Sequence, residues 1–158
     1  MNNASIVIGI AIVALVIRRQ LRTRPVHGKD GPVLLGILGV LGVLALVFGV
    51  ASVVKEHPLG GLTIALVAAS FVVAAGFGVA RARTVTVWRA PEGQLLRKGA
   101  PATTVLWLVS VAVHIGLDAW IDHTTGTGLL GASTLYLYLA VTLAVQDLLV
   151  RRRAASAA

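Results

Sequence analysis

The chain has 158 residues, 57% apolar and only 13% charged, with fourteen Lys or Arg against six acidic residues and no cysteine. Soluble domains carry about 25% charged residues, so a mean hydropathy of +0.89 excludes an ordinary water-soluble fold. The missing thiols exclude a disulfide framework, a thiolate zinc site, a CxxC redox pair and a Cys-ligated iron–sulfur cluster.

A bilayer core about 30 Å thick needs about 20 apolar residues in helical form. Four runs meet that length: Val33–Val54, Leu59–Ala80, Ala102–Ile121 and Leu129–Val150. Ala4–Ile17 is shorter, but it gains reach from the apolar stems of Arg18 and Arg19, which can snorkel to the interface. It lacks the basic leader and small-residue cleavage site of a signal peptide, so it reads as an uncleaved first helix. The expectation is an all-α membrane protein, a bundle of five transmembrane helices in one domain over residues 1–153, with a disordered Ala/Ser tail at 154–158.

The isoelectric point near 11.4 would suit nucleic acid only if the basic residues studded a soluble surface. They stand instead at the ends of apolar runs, so the expected partner is the lipid bilayer and not nucleic acid. Arg18, Arg19, Arg22, Arg24 and Lys29 follow the first run. Arg81, Arg83, Arg89, Arg97 and Lys98 follow the third, and Arg151, Arg152 and Arg153 follow the fifth. One alternation accounts for every positive charge except Lys55. By the bias of Lys and Arg toward the cytoplasm, it places the N-terminus outside and the C-terminus in the cytoplasm, in a multi-pass protein of the cell (plasma) membrane.

Between the third and fourth runs, Thr84-Val85-Thr86-Val87-Trp88 alternates β-favouring residues. Ala90-Pro91-Glu92-Gly93 has Pro early in a turn and Gly where positive φ is wanted. With Gln94–Arg97 returning, this predicts a short cytoplasmic β-hairpin with Trp88 at the headgroup level and a basic face of Arg81, Arg83, Arg89, Arg97 and Lys98. The other basic loop, Arg18–Pro32, reads as irregular.

Helices in lipid associate through small residues. The second run carries Gly36, Gly39, Gly42 and Gly49, and the third Ala65, Ala69, Gly76 and Ala80. Because Lys55–Pro58 is all that joins them, the two runs are expected to pack as an antiparallel hairpin through these stripes. The alternative is that one stripe meets a membrane-protein partner or a second copy.

Only the fourth run carries ionisable groups into the membrane. Thr103, Trp107, Ser110, His114, Asp118 and Asp122 recur at three or four residues and so share a helical face. One reading makes His114, Asp118, Asp122 and Ser110 a proton relay or cation path, with Asp118 orienting or charging His114. The other is a structural His–Asp hydrogen bond with Asp122 and His123 at the outer headgroups. HxxxD supplies two metal ligands but anchors no third, and bis-His haem would need a second histidine at the depth of His114. No metal or cofactor is expected. Asp147 and Arg151 form an i,i+4 pair. No nucleophile elbow, phosphate loop, HExxH or paired-carboxylate arrangement is present, so there is no catalytic residue and an enzyme is not expected.

Arg18-Arg19-Gln20-Leu21 with Arg24-Pro25, then Arg83-Thr84-Val85-Thr86-Val87-Trp88, Glu92-Gly93, Lys98-Gly99 and Thr103-Thr104 leading to Trp107, together resemble the DUF1453 group of small actinobacterial membrane proteins. That group is related to CcdC-like proteins encoded beside cytochrome c maturation genes. The resemblance covers most of the chain and implies an integral membrane protein of unknown function, with no activity or catalytic residue to carry over. The absence of cysteine argues against direct thiol transfer. Two functions are expected from different classes. The first is a non-enzymatic accessory, assembly or signalling subunit working through helix packing and its basic face. The second is a small homo-oligomeric transporter or channel using His114, Asp118 and Asp122.

Overall fold

The computed structural model describes residues 18, 21–26, 30–55, 60–126 and 129–156. Four helices dominate: α1 (Asp30–Val54), α2 (Gly61–Thr84), α3 (Pro101–Thr125) and α4 (Leu129–Ser156). Each contains a stretch of 23 or 24 residues long and apolar enough to cross a membrane, which marks the chain as a membrane protein. The expected span over residues 4–17 lies outside the described residues, so four of the five expected spans are present as helices.

Three strands, β1 (Arg24–Pro25), β2 (Val85–Arg89) and β3 (Leu95–Gly99), form an antiparallel sheet in the order β1-β3-β2. The expected hairpin is therefore present, but its return strand is Leu95–Gly99 rather than 94–97. The loop read as irregular supplies a third strand, with Arg24 opposite Arg97 and Pro25 opposite Leu96. The turn follows its sequence. The Gly93 N–H donates to the Ala90 carbonyl and the Ala90 N–H to the Gln94 carbonyl, both at 2.8 Å, with Gly93 at φ 80°. A side chain at that left-handed position would be strained.

The hairpin joins α2 to α3 almost without linker. The Val85 N–H bonds the Ala82 carbonyl as α2 ends, and Pro101 opens α3, where no N–H partner is needed. The Thr84 hydroxyl donates to the Arg81 carbonyl at 2.9 Å and lies 2.7 Å from the Thr103 hydroxyl, which accepts the Ala100 N–H at 3.0 Å. With its own proton committed to Arg81, Thr84 accepts the proton of Thr103. The two helix ends are thereby fixed side by side.

α4 is the organising helix. It packs along both α1 and α2, while α2 also meets α3. The expected hairpin of α1 and α2 through their small-residue stripes is thus corrected: α1 packs against α4. On α1, Gly42 and Gly49 are buried, and a Cβ on Gly42 would lie 2.7 Å from the Leu137 backbone nitrogen. Gly36 and Gly39 meet nothing within 4 Å. On α2 the packed face is Thr63, Ser70, Ala74, Gly78 and Arg81. Ala65, Ala69 and Gly76 are exposed, and Ala80 is half-buried. The stripe at heptad-like spacing follows α4, whereas the alanines expected to pack turn outward.

Polarity is inverted relative to a soluble bundle. Phe48 and Val72 are 73% and 72% exposed, as lipid-facing residues should be, while Thr63, Ser70, Ser110, His114 and Thr142 are buried. Lipid tails are as apolar as leucine, so burying aliphatic groups mid-bundle gains little. Polar groups, which lipid cannot satisfy, gather inside. Among the described residues a continuous apolar cluster lies under the sheet instead: Val26, Ala82, Val85, Val150 and Ala154. Ala154 is fully buried because α4 runs on through Ser156, where a disordered tail was expected; residues 157–158 lie outside the described residues.

Candidate functional site: a polar cluster inside the bundle

The polar stripe of α3 faces inward where it is deepest. Thr103, Ser110 and His114 are buried, Trp107 and Asp118 are half-buried, and Asp122 is exposed at the end of the bundle away from the sheet. Spacings of three and four keep these residues on one face, and the packing of α3 against α2 and α4 turns that face inward.

Across from it stands Tyr138 of α4, fully buried. Its hydroxyl donates to the Ser110 carbonyl at 3.1 Å and lies 3.1 Å from the Ser110 hydroxyl. With the phenolic proton on the carbonyl, Ser110 donates its own proton to the phenolic oxygen. The Thr142 hydroxyl donates to the Tyr138 carbonyl at 2.8 Å, so the polar row continues along α4. The His114 ring lies against Tyr138, with centroids 4.4 Å apart and planes tilted by 34°.

His114 is 3% exposed, and neither of its ring nitrogens has a hydrogen-bond partner among the described residues. The expected His114–Asp118 pairing does not form, because the imidazole is taken up by the face of Tyr138. Asp118 remains a turn further toward the open end.

Arg81, in the last turn of α2, is a further buried polar group. It is 1% exposed, and none of its three guanidinium nitrogens has a hydrogen-bond partner among the described residues. Side chains on a helix lean toward its N-terminus, which here carries the guanidinium from the last turn of α2 toward the interior. The chain has only six carboxylates, and the one nearest the sheet end of α4 is committed. Asp147 binds the Arg97 guanidinium at 2.7 Å through one oxygen and Arg151 at 2.6 Å through the other. The Thr104 hydroxyl, also buried and without partner among the described residues, stands one turn inside α3, beside the Thr84–Thr103 clamp.

Of the residues expected to form a basic face, Arg83, Arg89 and Lys98 are exposed, Arg97 pairs with Asp147, and Arg81 is inside the bundle. Sequence reasoning missed Arg81 because it stood in a run of topology charges. The signal that finds it is its place on the Thr63–Ser70–Ala74–Gly78 stripe. Tyr138 gives no such signal in the sequence, because its partner, Ser110, is 28 residues away. The expected Asp147–Arg151 pair is present, and Arg97 adds a second cation to it. Among the described residues no group of three His, Asp or Glu side chains is placed to hold a metal ion.

Scans against protein-family models, curated proteins and solved structures each find no match.

Proposed function

We propose that the chain is a non-enzymatic multi-pass membrane protein that admits a small anionic solute to its bundle interior, as a transporter or solute-sensing subunit, with Arg81 as the countercharge. The observation that carries this reading is a fully buried guanidinium with no hydrogen-bond partner among the described residues. A charge held this way is costly unless something pairs with it. The same observation argues against metal cations: two like charges 4 Å apart repel by about 4 kcal/mol at an effective dielectric constant of 20. In the anion reading His114, whose ring nitrogens have no hydrogen-bond partner among the described residues, supplies a polar contact, Ser110 and Tyr138 hold each other, and Asp118 and Asp122 lie toward the far end of the bundle, outside the binding step. Following the Lys/Arg bias, we place the sheet end in the cytoplasm.

The test is binding and uptake by the full chain in liposomes, with chloride, phosphate and small carboxylates as probes. Arg81→Gln should abolish anion binding, and His114→Ala should weaken it. Cation uptake that depends on Asp118 and survives Arg81→Gln would overturn the anion reading in favour of a cation path.

A second reading, the packing subunit, is favoured by the open space at Gly36, Gly39 and Gly76, where an added Cβ would meet nothing within 4 Å. Lipid-facing glycines allow the close backbone approach of another helix. Cross-linking at these positions to a second copy or a membrane partner, with anion binding absent, would support it.

A further inference from the structure

At the sheet end of the bundle a groove of about 470 Å³ runs between the last turns of α2 and α4. Its floor is apolar, formed by Val79, Ala82 and Leu149, and its rim carries Arg83, Arg152 and Arg153. We propose that this groove binds the headgroup region of an anionic phospholipid, with the phosphate at the arginines and the glycerol and first acyl carbons over the floor. The inference stands apart from the interior solute site, since it shares no residue with it.

Three observations support the assignment. The first is charge. Three guanidinium groups meet at the groove and none is ion-paired to a carboxylate among the described residues, because Asp147 has an oxygen on each of Arg97 and Arg151. The second is preorganisation. Arg153 donates to the Ala82 carbonyl and, at 3.2 Å, to the Val85 carbonyl. It thereby pins the end of α4 to the end of α2 and gives the groove a fixed wall. Carbonyls at a helix C-terminus are natural partners for such a cation. Arg83 and Arg152 are exposed and remain for the ligand. The third is the combination of apolar floor, basic rim and position. The groove lies where the apolar spans Gly61–Thr84 and Ser133–Ser156 end, which is where a bilayer places its phosphates. A free oxyanion would use the rim but not the floor, and a zwitterionic lipid would use the floor but bring no net charge to the rim.

Each basic residue near an anionic membrane surface contributes about fivefold in affinity. The experiment is native mass spectrometry of the full chain in neutral detergent, titrated with phosphatidylglycerol, phosphatidylcholine or inorganic phosphate. Phosphatidylglycerol should be retained preferentially. Arg83→Gln and Arg152→Gln should each reduce that retention about fivefold, and the double variant about 25-fold. The Arg→Lys pair should keep most of it, showing that a loss in the Gln variants is not misfolding. Lys98→Gln, an equal charge change on the hairpin outside the groove, should leave retention unchanged. Equal binding of phosphatidylcholine, an equal loss from Lys98→Gln, or inorganic phosphate displacing the lipid at the same arginines would each overturn the proposal.

Discussion

Two glycines separated by a single residue on α2 should respond with opposite sign to the same substitution. At Gly78 an added methyl would lie 2.7 Å from the Thr142 carbonyl oxygen and 2.8 Å from the Val145 Cβ, whereas at Gly76 it would meet nothing within 4 Å. Alanine gains about 1 kcal/mol over glycine in a helix interior, and Gly76→Ala should keep most of that gain. Gly78→Ala must push α2 and α4 apart by about 0.7 Å to restore ordinary contact, and a gap of that size forfeits a quarter to a half of the dispersion energy of each facing atom pair. Overpacking of this kind costs about 1–3 kcal/mol. It offsets the propensity gain and leaves the two variants about 2 kcal/mol apart. The assay is unfolding in mixed micelles by titration with denaturing detergent, followed by the fluorescence of Trp107, which lies half-buried on α3. Equal destabilisation by Gly76→Ala and Gly78→Ala would refute the reasoning, because it would mean that the Ala65–Ala69–Gly76 face is packed as closely as the Gly78 face.

Three further outcomes follow from the geometry. Tyr138→Phe removes the bond to the Ser110 carbonyl and should lower stability by about 0.6–1.7 kcal/mol, the range for interhelical hydrogen bonds in membranes; the same unfolding titration reads it. Asp147→Asn weakens two ion pairs that tie α4 to β3 and to its own next turn. It should cost about 1 kcal/mol, less at high salt, with faster amide exchange at Leu95–Gly99. Gly93→Ala forces a side chain onto φ 80° and should cost about 1–2 kcal/mol, seen as accelerated exchange of the Ala90 amide while the helices stay protected.

The sequence was most legible where the physics is local. Length and hydropathy located α1 to α4, because a bilayer demands long unbroken apolar runs. Pro91 and Gly93 located the turn, because only certain residues tolerate its dihedral angles. The inward face of α3 was also legible, since His114 and Ser110 in lipid must turn toward protein. What failed were the pairings. The short Lys55–Pro58 connection argued for α1 against α2, yet Gly42 and Gly78 both serve α4, and nothing local to α1 or α2 encodes that choice. Periodicity on α2 admitted two faces, and the small residues of the wrong one were equally regular.

The sequence by itself therefore determined that this chain lives in a membrane, where its helices run, and that a polar stripe on one of them turns inward. It does so because propensity and transfer free energy act within a single segment. Tertiary structure alone decided that Arg81 is inside rather than at the headgroups, that Tyr138 rather than Asp118 meets His114, and that three arginines from two helices share one groove. Each of these depends on which helices lie side by side, and that follows from contacts between residues tens of positions apart.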